Sequence, residues 1–276
     1  MADMRKTEVD ATVQETVSAI IQDQLIQNAK LLPTVTSISV AMGDDKIKVP
    51  RAGNFSVDTK VENTSVTAQV ISYQTDDIDL DQDKVIQVIL EDRARLQGQQ
   101  GIRSDIIMRM GKQMALDIDE FIVTLLEDTS SAAPDHRIAY DAANLGKADL
   151  LNARELIHIQ NLEFNECTVL VHPTAEKSLL AISDFVSADT YGSADGLRLG
   201  ELGRLYGARV IMSNVADPLK TLVYHPSHVY FAMQVGVRFE QDRIVEKLAD
   251  LFSINQLYGG QTMDSGVRGV LLGTAV

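Results

Sequence analysis

Apolar residues recur at spacings of three and four in two long stretches of the chain, a period that predicts amphipathic helices. The first stretch stops at Pro33, and its apolar stripe consists of Val9, Val13, Val17, Ile20, Ile21 and Leu25. It fits two interpretations: an ordinary domain helix, which the spacing favours, or a terminal arm that packs on a neighbouring subunit.

The second stretch predicts one long helix from Ile102 to Glu127. At 1.5 Å per residue this helix would be about 39 Å long, which suits a strut across the molecule. Its predicted buried face consists of Ile102, Ile106, Ile107, Met110, Met114, Phe121, Ile122 and Leu125, widened near the end by Leu116, Ile118 and Leu126. The methionines, Met108 included, are interpreted as core filler.

Between residues 46 and 75 the pattern changes to short β-branched runs of alternating polarity, which predicts a β-hairpin. Its turn is expected near Glu62, Asn63 and Thr64. Apolar residues are sparse in this hairpin, and an isolated two-stranded ribbon is only marginally stable in water. The hairpin is therefore expected to lie on its own domain or on another subunit.

The following stretch has five aspartates within residues 76–83 and the sequence KVIQVILEDRARLQ at 84–97. The aspartates do not fit a calcium-binding EF-hand loop, because glycine at position six and glutamate at position twelve are missing. A solvated acidic turn is predicted instead, since carboxylates are favoured near the N-terminus of a following helix. Residues 84–97 are accordingly predicted to be helical.

From residue 147 onward helical patterns alternate with short apolar strands, which is typical of an α/β unit. Helices are predicted at 147–160 and 174–182, strands at 167–173, 207–214, 221–226 and the C-terminal end, and a strand or mixed element at 230–242. The loop at 187–201 is about 15 residues long, and loops of that length are usually functional or mobile.

Composition narrows the range of functions. The chain has 276 residues, a formal net charge of −14 and 45% apolar residues. It is expected to fold as one large or two modest domains and not to hold nucleic acid by its overall charge. The single cysteine, Cys167, excludes an intrachain disulfide. The chain has no apolar run near the about 20 residues of a membrane helix and no signal-peptide core, so neither membrane association nor export is expected.

No arrangement of catalytic or metal-binding residues stands out. His225 and His228 lie at a strand end without the further ligands that zinc needs, and Cys167 has no recognisable group to orient a cysteine–histidine pair. The glycines form neither a nucleophile elbow nor a phosphate-binding loop nor a dinucleotide fingerprint. The sequence therefore predicts a structural or binding protein, not an enzyme, with no cofactor and no metal.

Three segments carry a resemblance to a known family. ELGRLYGARVIMSNV (201–215) has a turn glycine, Gly207, and then an apolar strand that ends in Ser213-Asn214. Residues 147–180 have a helix, a VLV strand ending in a proline, and a second helix, and MALDIDEFIV (114–123) resembles the end of a long helix in which an aspartate recurs. The chain resembles the major capsid protein of tailed double-stranded DNA phages, which has the Hong Kong 97-type capsid fold.

This resemblance implies an α+β chain with five parts. They are an N-terminal arm at 1–45, the extended E-loop hairpin at 46–80, a peripheral domain with the long spine helix at 81–146, an α/β axial domain at 147–225, and a return to the peripheral domain at 226–276. The loop 187–201 would be a tip near the capsomer axis. Subunit contacts are expected at Phe55, Val57, Lys60, Val61, Val66 and Val70 of the hairpin and at Tyr191 and Leu197 of that loop.

The resemblance also implies a function and partners. The chain would self-assemble into pentamers and hexamers of an icosahedral shell that encloses double-stranded DNA without sequence-specific binding. Further implied partners are a separate scaffolding protein, because the arm is too short to include one, a portal protein and a decoration protein. The protein would be found in the virion after assembly in the host cytoplasm. Lys60 lies where some relatives form a Lys–Asn cross-link, but no partner motif supports a cross-link here.

Two alternatives stay open from the sequence. An encapsulin-type nanocompartment protein would share the fold and enclose a cargo enzyme, although the large hairpin and the arm weigh mildly against it. A small acidic α/β enzyme would instead form a discrete oligomer with a ligand-sized pocket lined by perturbed acids.

Overall fold

A computed structural model describes residues 29–40, 45–52, 73–92, 102–132, 134–141, 144–180 and 204–274, together with shorter pieces at 17–18, 21, 43, 56–60, 62–63, 65 and 68–70. The helices with defined bounds are α1 (Ile102–Leu126), α2 (Lys147–Ile159) and α3 (Glu176–Leu180). The strands are β1 (Thr36–Ser39), β2 (Lys46–Ala52), β3 (Tyr73–Asp79), β4 (Gln82–Glu91), β5 (Arg137–Ala139), β6 (Thr168–Val171), β7 (Arg204–Leu205), β8 (Ala208–Met212), β9 (Lys220–Tyr224), β10 (Val229–Ile244), β11 (Ala249–Thr262) and β12 (Gly269–Gly273).

A four-stranded sheet packs against the long helix α1 and forms the larger core. The strand order is β1–β10–β11–β4, with β1 parallel to β10 and the other pairs antiparallel. The helix contributes a buried stripe at a spacing of three and four, Ile107, Met110, Met114, Ile118 and Ile122, and the sheet contributes Phe231, Phe239, Phe252, Ile254 and Tyr258. The predicted long helix and most of its predicted buried face are therefore confirmed.

Two residues of α1 do not follow that prediction. Met108 is 43% exposed and Leu116 is 42% exposed, so Met108 is not core filler and Leu116 does not widen the buried arc. They are eight residues apart, and they lie with Lys112 and Glu120 in one row of exposed positions at a spacing of four. Residues four apart on a helix are neighbours on one face, so this row is an outer stripe that the chain's own sheet leaves uncovered.

A six-stranded mixed sheet forms the second core with α2. Its order is β5–β12–β9–β6–β8–β7. Strand β6 is buried at all four positions, as expected for a strand covered on both faces. One face of this sheet packs against α2 through Val169, Val171 and Val223, while Leu170, Leu222 and Leu271 on the other face join the core of α1. The predicted α/β unit is thus confirmed, and its last strand, β12, comes from the C-terminal end of the chain.

The predicted helix at 84–97 is wrong for residues 84–91, and residues 93–97 lie outside the described residues. Residues 82–91 form strand β4, which pairs with β11 from Gln82↔Tyr258 to Glu91↔Ala249. Inward positions Ile86, Val88 and Leu90 alternate with outward positions such as Val85 and Ile89. Apolar residues occupy both faces of VIQVIL, so this run fits a helical period as well as a strand period. It forms a strand because its backbone pairs with the edge of β11.

The predicted acidic turn at 76–83 is also wrong. Asp76, Asp77 and Asp79 lie in strand β3, and Asp83 lies in β4. Their carboxylates do not precede a helix N-terminus. They lie along strands β3 and β4, where solvent and lysines on the neighbouring strand, such as Lys46, stabilise their charge.

Candidate assembly surfaces

The hairpin predicted between residues 46 and 75 is present, and its stem is a two-stranded sheet of its own. Strands β2 and β3 pair from Lys46↔Asp79 to Ala52↔Tyr73, and Glu62 and Asn63 form a turn in which Asn63 has a left-handed φ of 67°. Lys46 Nζ lies 2.8 Å from the Asp79 carboxylate. The stem exposes most of its surface, because Ile78 is the only fully buried residue of β3.

The base of the hairpin is packed on the body of the molecule. Ile78 and Leu80 are buried in a small cluster with Ala232 and Met263. Gly259 of β11 permits this contact, since a Cβ atom there would lie 2.0 Å from the Asp79 carbonyl oxygen. The pair Gly259-Gly260 inside a strand is the sequence signal that could have indicated a close backbone approach.

Polar and ionic contacts hold the part of the stem that lies farther from its base. The Arg51 guanidinium pairs with the Asp264 carboxylate and donates to the Gln74 side chain at 2.7 Å. The backbone N–H of Asp264 donates to the Asp76 carboxylate at 3.3 Å. The stem is thereby fixed at two levels. The Arg51–Asp264 pair could not be predicted from the sequence, because the two residues are far apart along the chain.

The far end of the hairpin makes only local polar contacts among its described residues. The Gln69 side-chain amide donates to the Ser56 carbonyl and hydroxyl oxygens, both at 2.7 Å. Val57 is 98% exposed and Val70 is 95% exposed, and Lys60 is exposed as well. These three predicted contact residues therefore lie on an uncovered end. The others, Phe55, Val61, Val66, Tyr191 and Leu197, lie outside the described residues.

The segment that follows the N-terminal stretch is fixed to the centre of α1. Asp119 is 1% exposed and accepts the backbone N–H groups of Lys30 and Leu31, each at 3.1 Å. Burial raises the pKa of Asp119, while the two N–H donors act in the opposite direction. Further along, the Thr34 hydroxyl lies 2.7 Å from the Tyr224 hydroxyl. In the sequence, the feature that could have indicated this contact is an aspartate among the apolar residues of α1.

Two buried histidines lie where the end of α1 meets both sheets. His136 Nδ1 lies 2.9 Å from the Gly269 carbonyl oxygen, and the His228 ring would meet a Cβ on Gly269 at 2.8 Å. His136 Nε2, both His228 nitrogens and the Thr129 hydroxyl are buried without a hydrogen bond of normal geometry. Burial lowers the pKa of His228 to about 4, and the neighbouring charges of His136 and Arg268 act in the same direction, opposed by the Leu126 carbonyl.

The described residues hold no cluster of three or more histidine, cysteine or acidic side chains that would suit a metal ion. Burial, and then the charge of Glu166, raise the pKa of the Cys167 thiol to about 12, which keeps it unreactive. Nor does any helix in this part of the chain combine the length and the apolar character that crossing a bilayer requires. What the molecule presents is a set of uncovered surfaces for contact.

Comparison with known protein families identifies the family of this chain. A profile of the phage capsid protein family matches residues 57–255, which is well over half of the chain. The chain therefore belongs to the phage capsid protein family. As a capsid protein of a phage, it forms the shell of the virion. No curated protein matches the chain.

Solved structures show the same fold. A chain from Mycobacterium phage Che8 is 24% identical, with 83% of this chain and 84% of that chain covered and a TM-score of 0.65. The capsid of cyanophage P-SCSP1u is 16% identical (87% and 86% covered, TM-score 0.72). The mature capsid of bacteriophage PhiM1 is 15% identical (90% and 88% covered, TM-score 0.71). The encapsulin alternative is not favoured, since the matching family is that of phage capsids.

Proposed function

We propose that this chain builds the pentamers and hexamers of an icosahedral shell around double-stranded DNA, in the manner of the Hong Kong 97-type fold. In this proposal the β2–β3 hairpin is the E-loop, α1 is the spine helix, and α1 with the four-stranded sheet forms the peripheral domain. The six-stranded sheet with α2 forms the axial domain, which then includes β5 and β12 in addition to residues 147–225.

The observation that carries this proposal is the contrast between the two ends of the hairpin. Its base is fixed by Ile78, Leu80 and the Arg51–Asp264 pair, while Val57 and Val70 at the far end are almost fully exposed. A ribbon that is rigidly attached and uncovered at its end gains burial only by contact with another molecule. Closed shells use such contacts repeatedly, because one surface of each copy meets a different surface of the next.

The outer stripe of α1 is a suitable surface for that contact. Met108 and Leu116 lie about 12 Å apart along the helix, with Lys112 between them, and neither is covered by the chain's own strands. The apolar end of a neighbour's hairpin, with Val57, Val70 and the predicted Phe55, Val61 and Val66, would bury both residues. Tyr191 and Leu197 remain proposed contacts nearer the capsomer axis.

The remaining expectations follow the family. A scaffolding protein, a portal protein and a decoration protein are proposed partners, assembly is proposed to take place in the host cytoplasm, and the role is proposed to be non-enzymatic. The charge of −14 supports a lining to which packaged DNA does not adhere, because like charges repel the phosphate backbone.

Expression of the protein with and without a scaffolding protein tests the proposal directly. Negative-stain electron microscopy and sedimentation velocity are expected to show closed shells of uniform diameter, or capsomers that close when scaffold is added. A protein that sediments as one to four chains under every condition and binds a small ligand stoichiometrically would support the acidic-enzyme alternative and contradict the proposal.

A further inference from the structure

One face of the hairpin stem rests on the turn that joins β11 to β12. Ile78 is buried there beside Met263 of the turn, and Ile47 and Val49 pack against the same cluster. Cross-strand partners share one face of a two-stranded sheet. The supported face of the stem therefore consists of the pairs Ile47↔Ile78, Val49↔Asp76 and Arg51↔Gln74.

The turn contacts this face at successive positions along the stem. Beyond Met263, the Asp264 backbone N–H donates to the Asp76 carboxylate at 3.3 Å. The Asp264 carboxylate pairs with the Arg51 guanidinium, which belongs to the next pair of that face, farther from the base. The position of Asp264 therefore determines how the outer part of the stem lies on the body.

The turn itself has an unfavourable backbone conformation. Asp264, Ser265 and Gly266 have φ values of 56°, 53° and 76° in succession. A left-handed φ brings the Cβ atom of an ordinary residue too close to the following carbonyl oxygen, so Asp264 and Ser265 are strained and Gly266 is not. Strained backbone of this kind persists only where surrounding contacts hold it. Contacts from outside the turn must therefore maintain its shape.

At one end, the segment that follows α1 holds the turn. The Ser130 backbone N–H donates to the Gly266 carbonyl oxygen at 3.1 Å. A Cβ atom at Gly266 would lie 2.5 Å from the Asp128 carbonyl oxygen, so the two stretches of backbone are in close contact. This contact fixes the Gly266 end of the turn, and the Asp264 end needs a contact of its own.

At the other end, Arg268 holds the Asp264 carboxylate. Arg268 Nε lies 3.5 Å from that carboxylate, and the guanidinium also donates to the Ser227 hydroxyl at 3.1 Å. Ser227 lies in the short 3-10 turn between β9 and β10. Arg268 thus connects the strained turn to the body, and neither of these two partners belongs to the hairpin.

We infer that Arg268 is a positioning residue for assembly: it holds Asp264 in the left-handed turn, and the turn sets the angle at which the hairpin leaves the body. This inference rests on the proposed function, because the angle matters only if the hairpin binds a neighbouring copy. At about 3.4 Å per residue the seven-residue strands β2 and β3 span about 24 Å. A tilt of about 10° at the base would then move the far end by about 4 Å, which changes how copies meet and hence the curvature of the shell.

Hydrogen–deuterium exchange of the unassembled subunit tests the inference. Arg268→Met removes the guanidinium without touching the hairpin, and the amides of β2 and β3 are expected to exchange about tenfold faster, while those of β6 keep their rates. Arg268→Lys retains a cation beside Asp264 and should restore most of the protection. Arg238→Met, which removes a guanidinium 3.5 Å from Glu240 on β10, is the matched control and should leave β2 and β3 unchanged.

A second variant shows whether Arg268 acts through Asp264. Asp264→Asn keeps the size of the side chain and suits left-handed backbone, so it should fold even if Arg268→Met does not. It is expected to speed exchange in β2 and β3 by about tenfold as well. The double variant should exchange no faster than either single one, because both changes remove the same contact. Effects that multiply in the double variant would overturn the inference.

Electron microscopy of assembled particles supplies the second measurement. Arg268→Met and Asp264→Asn are expected to form shells of uneven diameter where the wild type forms uniform ones. Stem amides that exchange at the wild-type rate in both variants would overturn this inference, and so would uniform shells of wild-type diameter from variants whose stem exchanges faster. Failure of the wild-type chain to assemble would contradict the proposed function itself, whereas the exchange rates of the subunit do not depend on assembly.

Discussion

At the scale of single residues, the buried polar groups of this subunit fix segments that hydrophobic packing leaves free. Asp119 is the clearest example, because its two carboxylate oxygens accept one N–H each from Lys30 and Leu31. Those donors would otherwise be buried without an acceptor, which is costly. A single carboxylate within the apolar stripe of α1 therefore determines where the N-terminal segment joins the core.

Replacing this carboxylate is expected to destabilise the subunit. Asp119→Asn leaves one oxygen for two donors and places an NH₂ group against the second, so the free energy of unfolding should fall by about 1–3 kcal/mol. Urea unfolding at pH 7 measures the change. Glu120→Gln, at the exposed neighbouring position, is the control. Equal midpoints for Asp119→Asn and the wild type would show that the anchor contributes nothing.

The buried histidines predict acid sensitivity. The pKa of His228 is about 4 in the folded chain against an ordinary value of 6.5, so the unfolded chain binds the proton more readily. The free energy of unfolding should therefore fall as the pH decreases from 6.5 to about 4, by about 3 kcal/mol from this residue. His228→Met removes the titrating ring and two unpaired nitrogens, and should flatten that part of the stability profile.

Measured unfolding free energies between pH 7 and pH 4 test the histidine prediction. The exposed His158 provides the matched variant, His158→Met, which should keep the wild-type slope. A His228→Met profile parallel to the wild type would mean that carboxylates alone account for acid sensitivity.

At the scale of elements, α1 separates an inner face that folds the subunit from an outer stripe that is free for contacts. Met114 is 1% exposed and Met108 is 43% exposed, although both are methionines six residues apart on one helix. One face of the helix packs on the four-stranded sheet, and the other faces solvent. Because apolar residues lie on both faces, counting every apolar residue of the helix as buried overestimates its buried face.

Paired substitutions on α1 distinguish the two faces. Met114→Asp buries an unpaired charge and is expected to cost about 3–5 kcal/mol, enough to prevent folding, and Ile107→Asp should act alike. Met108→Asp should fold with an unfolding free energy within about 0.5 kcal/mol of the wild type. Circular dichroism and the soluble fraction report the outcome. Native-like Met114→Asp protein would contradict the packing described for α1.

At the scale of the whole molecule, the subunit combines two hydrophobic cores with a hairpin whose described residues are mostly exposed. The cores of α1 and of α2 share the six-stranded sheet, whose two faces contribute to one core each. The described part of the hairpin contributes Ile78 and Leu80 to a third, small cluster, and Ile47 and Val49 pack against it partly buried. Folding and assembly should therefore be separable by changes in the hairpin.

Shortening the hairpin tests this separation. Deletion of residues 56–72 leaves Gly53-Asn54-Phe55 to close the stem, and loops of three residues are common in hairpins. The subunit should keep its melting temperature within a few degrees, because the removed residues that the structure describes are all exposed, but it should form no closed shells. The milder variant Val57→Ser with Val70→Ser should fold normally and assemble poorly. Shells of wild-type diameter from the deletion would refute the E-loop assignment.

Several elements could be predicted from the local pattern of apolar residues, because that pattern is repeated over many residues. The helix α1 maintains a helical period over 25 residues, and the strands around 168–171, 208–212 and 220–224 are short apolar runs bounded by turn residues. The hairpin and its turn at Asn63 followed from alternation and turn chemistry. The family resemblance followed from the order of these elements. Val57, Lys60 and Val70 are exposed, and their role in subunit contacts stays a prediction.

Other features depended on contacts between distant residues. Strand β4 was ambiguous in sequence, and pairing with β11 decided it. Three further contacts form only when the sheets assemble. They are the pairing of β12 with β9, the Arg51–Asp264 ion pair and the cross-strand pair of Arg204 and Arg209. The sequence by itself determined the long helix, the hairpin, several short strands and the class of protein, because period and turn chemistry act over a few neighbouring residues. Tertiary structure decided strand partners and uncovered surfaces, because burial and charge pairing depend on groups that are far apart along the chain.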